Sequence, residues 1–313
     1  MKAAEFLADL EAKPTALREL ADTIGSVEWP VAKGVPLVLT GMGSSWFAAE
    51  TLARRLRRAG VHAIAEMASV VATLPADPAL TVVAITASGV SEETVSLLAA
   101  HYGISHTVVL TNTPAAAPPA DYVLPINAGI ERGGVACRSY THTLAMLLQL
   151  EHQLAATLPD LPAKLVLAAE AIATLIDSRG TWLPTASATL AGPNGCWLLA
   201  PAERLANASQ GALMIRECPR RPADGCETGD WNHVDVYLTK SIDYRALVFS
   251  GSRFDSNAVR WMRERRSRFV AVGAHLPGAE TEVRYPGDDD AIVALLTEVS
   301  VAELIAADWW LSR

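Results

Sequence analysis

Long apolar runs are missing from this 313-residue chain, and none reaches the roughly 18 residues that a membrane span needs. The opening stretch MKAAEFLADLEAK carries charges where a signal peptide has its apolar segment, so the chain is expected to stay in the cytoplasm. Cysteine is sparse. Cys137, Cys196, Cys218 and Cys226 show no CxxC spacing, and the 7 histidines form no HExxH pattern. Neither a disulfide framework nor a metal site is expected, and no cofactor is called for. Positive charge is also short, with 26 Lys+Arg against 34 Asp+Glu and a net charge of -8, which argues against nucleic acid as a partner. The clusters RRLRR (54–58) and RERRSRF (263–269) read as solvated helix faces.

What the chain does have is apolar material, 50% of its residues, enough for one large or two medium domains. Short apolar runs end in glycine or hydroxyl residues and give way to helical spacing. VPLVLTG (35–41), ALTVVAITASG (79–89), HTVVLTNT (106–113) and ADYVLPINAG (120–129) read as strands, and 135–157 as one long helix. After a mostly helical connector (161–180) the alternation restarts with GCWLLAPA, RALVFSGS and RFVAVGA as strands. A final helix runs from 290 to the last residue. Apolar strands joined by helical crossovers predict an α/β fold with a mostly parallel sheet in each of two halves, 1–160 and 161–313.

Ligands of such sheets sit beyond the carboxyl ends of the strands. There the first half has GMGSSW, offering Gly41 and Gly43 for close backbone approach, the Ser44 and Ser45 hydroxyls, and the amides of a helix start. TASGVSEET repeats the design with Thr86, Ser88, Gly89, Ser91 and Thr94. Two hydroxyl-rich loops at neighbouring strand ends suit one anion. Neither is a GxxxxGK[ST] or GxGxxG loop, so a small phosphorylated metabolite is favoured over a nucleotide.

These loops, with NAGIERGGVACRS (127–139) and LLAPAERLANASQGALMIRE (198–217), resemble the sugar isomerase (SIS) domain family in its tandem form, as in the isomerase half of glucosamine-6-phosphate synthase. The resemblance implies two flavodoxin-like three-layer domains and a sugar phosphate held by Ser45, Thr86, Ser88 and Ser91 within the loops that also carry Gly43, Ser44, Gly89 and Thr94. Val135, Ala136 and Cys137 would line the sugar. Glu217 and His233 match the family's proton-shuttling glutamate and ring-opening histidine, the latter reaching a neighbouring subunit, which implies a homodimer. Several family positions differ: a glutamine is Ala87, a serine Cys137, a lysine Met214 and a glutamate Gln210. No lysine follows Lys240, so the Schiff-base route of the synthases is not expected, and no N-terminal nucleophilic cysteine suggests a glutaminase.

The function implied is aldose/ketose isomerisation of a phosphosugar, or deamination of an amino-sugar phosphate, using Glu217 and His233. The alternative is a non-catalytic phosphosugar-binding protein. Trp309 and Trp310 read as core or dimer contacts, His142 as a hydrogen-bonded helix histidine, and the acids of 287–296 as a helix start.

Overall fold

Leu37–Gly41 and Thr81–Ile85 are buried at every residue, as parallel strands covered on both faces must be. In the computed structural model, which describes residues 1–71 and 74–313, such strands alternate with helices along the chain. The first elements are α1 (Ala3–Glu11), α2 (Lys13–Ile24), β1 (Leu37–Gly41), α3 (Ser44–Arg58), β2 (Ala63–Met67), β3 (Thr81–Ile85), α4 (Glu92–His101), β4 (His106–Thr111), β5 (Tyr122–Pro125) and α5 (Arg138–Ala155). Then follow α6 (Leu161–Asp177), α7 (Arg179–Leu190), β6 (Cys196–Ala200), α8 (Leu205–Glu217), β7 (Ala223–Glu227), α9 (Thr228–Trp231), β8 (Arg245–Phe249), α10 (Asp255–Glu264), β9 (Arg268–Val272), β10 (Thr281–Val283), α11 (Ala291–Thr297) and α12 (Val299–Leu311).

The strands form two five-stranded sheets, ordered β2-β1-β3-β4-β5 and β10-β9-β8-β6-β7. Every pairing is parallel. Read from opposite ends the two orders are the same flavodoxin-like 2-1-3-4-5 topology, so the expected α/β fold of two similar halves is present.

Three strands escape the apolar-run criterion. In the edge strand β2 exposure rises toward Met67, the edge strand β7 reads ADGCE, and β10 is only 3 residues long. The long helix expected over 135–157 begins instead at Arg138, because the preceding residues are held as a loop with Gly134 at φ 73°. RRLRR is not wholly a solvated face. Arg55 turns inward and pairs with the buried carboxylate of Glu151 on α5, through Nε at 2.5 Å and Nη2 at 3.0 Å.

Packing divides the chain differently from a single cut near residue 160. One unit comprises Arg18–Glu131 and Arg138–Ala163, the other Met1–Leu17, Arg132–Cys137 and Lys164–Arg313. The N-terminal segment joins the second unit through α1 against α12, where the Phe6 and Trp310 rings lie 6.0 Å apart. At the start of α2, Lys13 Nζ donates to Glu303 Oε2 at 2.5 Å and Ser300 Oγ at 3.1 Å, both partners on α12. This ion pair is sealed, with side chains 2% and 0% exposed.

Removing one member of a buried pair typically costs about 3–5 kcal/mol, because the other charge stays buried. Lys13→Met is expected to lower the urea-unfolding free energy by that order, and the double variant with Glu303→Leu to recover most of it. Equal stability of Lys13→Met and parent would contradict the account.

Candidate functional site

In the first sheet the chain reverses direction across the sheet between β1 and β3, the position where open α/β folds bind ligands. At the end of β1, Gly41 has no room for a side chain. A Cβ there would stand 2.6 Å from Ser45 Cβ and 2.9 Å from the Ile85 carbonyl oxygen. Gly43 turns the chain at φ 53°, ψ -125°, and α3 begins at once, with no side chain capping its first amides. The Ser44 and Ser45 hydroxyls are half-buried and, among the described residues, have no protein partner. The Ser45 amide donates to the Met42 carbonyl at 3.1 Å, and hydroxyls beside such a helix start are groups suited to an anion.

The loop after β3 is held open by its own hydroxyls. Buried Thr86 accepts the Gly89 amide on Oγ1 at 3.2 Å, and exposed Ser88 accepts the Val90 amide on Oγ at 3.4 Å. Both remain able to donate their hydroxyl protons. Gly89, at φ 79°, passes so close to the next loop that a Cβ would lie 2.7 Å from the Ala116 carbonyl oxygen. Ser91 and Thr94 stand differently: Thr94 Oγ1 donates to Ser91 Oγ at 3.2 Å, and Ser91 donates to Glu93 Oε2 at 2.9 Å. Glu93 thus takes the anion's place at the start of α4, and its own amide and the Ser91 hydroxyl hold its carboxyl below the usual range. An incoming phosphate would displace this exposed carboxylate to reach Ser91.

Asn112, which sequence reasoning passed over, ties the neighbouring loops together. Its amide donates to the Ala87 carbonyl at 3.2 Å, its Nδ2 to the Gly129 carbonyl at 2.8 Å, and its Oδ1 accepts the Ala128 amide at 2.9 Å. Its only local signal is an asparagine directly after an apolar strand.

Within the other unit lie Val135, Ala136, Cys137, Glu217 and His233. Val135 and Cys137 are buried and Ala136 is half-buried. Glu217 ends α8 half-buried; desolvation pushes its carboxyl above the usual carboxylate range, and the Arg220 guanidinium pulls it partly back. Arg220, at φ 52°, donates its Nε to the Glu217 carbonyl at 2.8 Å, which keeps that cation beside the acid. His233 is exposed in the turn after α9, its amide bonded to the Asp230 carbonyl at 2.8 Å. Met214, on the same helix as Glu217, is fully buried and offers no titratable group.

The corresponding loops of the second sheet are filled by the protein itself. After β8, Asp255 Oδ2 accepts the Gly251 amide at 2.7 Å and the Ser252 amide at 3.1 Å. After β6, Arg204 donates to the Ser250 carbonyl and, at 2.9 Å, to Glu298 Oε1, which also receives Asn207 Nδ2 at 3.0 Å. Burial pushes both the Asp255 and Glu298 carboxyls up; the Gly251 and Ser252 amides, then Arg204, draw Asp255 partly back, and Arg204 draws Glu298 partly back. Among the described residues, a built-in carboxylate and guanidinium occupy these loops.

Elsewhere, His142 is buried with Nδ1 3.3 Å from the Ile126 carbonyl, and Trp309 packs under the Arg221 guanidinium at 4.6 Å. Asp290 caps α11 through the Ile292 and Val293 amides. No helix among the described residues is long and apolar enough to cross a membrane.

The fold is that of an α/β protein with tandem flavodoxin-like sheets. No family model and no curated protein sequence matches the chain. Solved structures do. A Clostridium difficile protein proposed to be a phosphosugar isomerase superposes with a TM-score of 0.83 at 16% identity, covering 100% of this chain and 93% of that one. The tagatose-6-phosphate ketose/aldose isomerase of Escherichia coli gives 0.78 at 16% identity, covering 100% and 95%. Glucosamine-6-phosphate deaminase of Thermotoga maritima gives 0.71 at 14% identity, covering 99% and 95%. The architecture expected from the resemblance to tandem sugar isomerase domains is therefore the one observed.

The raised Glu217 carboxyl has a consequence for stability. The folded chain keeps this proton at pH values where the unfolded chain has lost it, so the contribution favours the fold at low pH and is lost as pH rises through the raised value. Glu217→Gln is expected to melt higher than the parent at pH 8 and to show no such gain at pH 4. Thermal scans at the two pH values check it; a gain of the same size at both would contradict the shift.

Proposed function

We propose that this chain binds a phosphorylated sugar through the loops after β1 and β3 and interconverts its aldose and ketose forms. The observation that carries the binding is the pair of loops at the β1/β3 switch point, where the hydroxyl protons of Ser44, Ser45, Thr86 and Ser88 are uncommitted beside uncapped amides. Hydroxyl and amide donors hold a phosphate without a lysine, since each hydrogen bond to a charged group contributes about 1.5–3 kcal/mol.

Proton transfer is assigned to Glu217. As carboxylate it would remove the proton from the carbon beside the sugar's carbonyl, giving an enediol, and as carboxylic acid return it to the neighbouring carbon. A carboxyl raised toward neutrality by burial suits both halves of that cycle. Exposed His233 is assigned to ring opening. It sits beside exposed Val234 and Tyr237, which supports a homodimer covering that face. On an amino sugar the same proton transfer would give an imine at the second carbon, which a water molecule would hydrolyse to the ketose with release of ammonia. The fold and the charge balance support a cytoplasmic metabolic protein. The second reading, phosphosugar binding without turnover, is favoured by Met214, which supplies no cation or proton on α8.

Proton NMR in deuterated buffer with tagatose, fructose and glucosamine 6-phosphates tests both readings. Deuterium is expected to enter the first two carbons of at least one sugar, with Glu217→Gln slowing it at least about 100-fold. Ser45→Ala and Ser88→Ala should each weaken the sugar phosphate about 10-fold or more, the equivalent of one charged hydrogen bond. Binding without exchange would leave the non-catalytic reading standing, and no binding would sink the phosphate assignment.

A further inference from the structure

The segment Arg132–Cys137 interrupts one packing unit in sequence and belongs to the other by its contacts. It is gripped from two sides. On one, α1 supplies Asp9, 5% exposed, whose Oδ2 accepts the Gly133 amide at 2.7 Å, while the Lys2 amide donates to the Gly133 carbonyl at 3.2 Å. The approach is so close that a Cβ on Gly133 would stand 2.6 Å from Phe6 Cα. On the other side, fully buried Gln210 of α8 donates Nε2 to the Ala136 carbonyl at 3.0 Å.

That contact accounts for a glutamine at 210. A carbonyl needs a donor, and an ionised carboxylate has none, so glutamate would set two acceptors against each other in a sealed place. Gln210 and Glu217 are seven positions apart on α8, two turns along one face. The loop is therefore bolted to the helix that ends in the candidate base.

Building on the phosphosugar function above, we propose that Asp9 and Gln210 are positioning residues: they lock the loop carrying Val135, Ala136 and Cys137 to α8, so that the sugar-lining residues keep a fixed register with Glu217. Neither touches the sugar. Their effect is on geometry, to which proton transfer is sensitive, since about 1 Å of misplacement can lower a rate about 100-fold. The Ser44, Ser45, Thr86 and Ser88 cradle belongs to the other packing unit, so inorganic phosphate should not sense them.

The test compares the full chain with Asp9→Ala, Asp9→Asn and Gln210→Glu, each first checked for cooperative melting. Hydrogen–deuterium exchange of the peptide spanning 131–137 is followed by mass spectrometry, and inorganic phosphate and fructose 6-phosphate are titrated calorimetrically. Asp9→Ala and Gln210→Glu are expected to speed exchange in that peptide at least about tenfold and to weaken fructose 6-phosphate by a similar factor, with phosphate affinity within twofold. Asp9→Asn, whose amide oxygen still accepts from Gly133, should restore both. Unchanged exchange in the variants, or equal losses for phosphate and fructose 6-phosphate, overturns the positioning role. Should the parent bind neither ligand, the phosphosugar function falls, and exchange alone then decides the lock: faster exchange in Gln210→Glu supports it and parental exchange refutes it. If Asp9→Ala does not fold, the same outcomes are read from Gln210→Glu.

Discussion

The cradle of the first sheet exists because Gly41 has no side chain. Parallel strands bring the ends of β1 and β3 to neighbouring positions, but the helix that follows β1 must start almost on top of the Ile85 carbonyl for Ser44 and Ser45 to face the β3 loop. A single methyl group at Gly41 would be placed inside van der Waals contact of both Ser45 and Ile85. Beside that close approach Gly43 turns the chain at φ 53°, and α3 starts without a side-chain cap. Shape is fixed here by backbone packing, and the hydroxyls are left with protons to donate.

Two halves with one topology have met the same electrostatic demand in different ways. Strand ends followed by helix starts concentrate unsatisfied amides and positive potential. In the second sheet Asp255 satisfies the amides internally, and Arg204 and Glu298 close the space above them. In the first, among the described residues, Glu93 leans into the start of α4 through the Ser91 hydroxyl, and it does so from an exposed position. A covalently attached carboxylate in a buried seat is hard to displace, whereas an exposed one exchanges readily for a ligand anion. Duplication of the fold therefore does not duplicate the side chains that fill its loops.

The parts of this arrangement that were legible in sequence are those with local signals. Short apolar runs marked β1, β3, β4, β5, β6, β8 and β9, and the two hydroxyl-rich loops followed from them. β7 was hidden because an edge strand written ADGCE buries too little to need an apolar run, and β10 because three residues make no pattern. The Asp9 and Gln210 grips were invisible for another reason. Asp9 meets Gly133 across 124 residues of chain, and no periodicity encodes such a pairing. Gln210 looked only like a departure from a family glutamate, and its meaning emerged with the Ala136 carbonyl in view. The difference between Ser88, free to donate, and Ser91, already donating to Glu93, likewise depends on rotamers that composition does not specify.

The sealed pair of Lys13 and Glu303 links residues 290 positions apart. During synthesis residues 18–163 emerge as a nearly complete set of contacts and can fold behind the ribosome, but α1 and the start of α2 have nowhere to dock until α12 has been made. Residues 1–17 are thus among the last to be placed, and in the interval the Gly133 loop lacks the grip of Asp9. A nascent chain stalled before α12 would carry the finished loops after β1 and β3 on an unfinished protein.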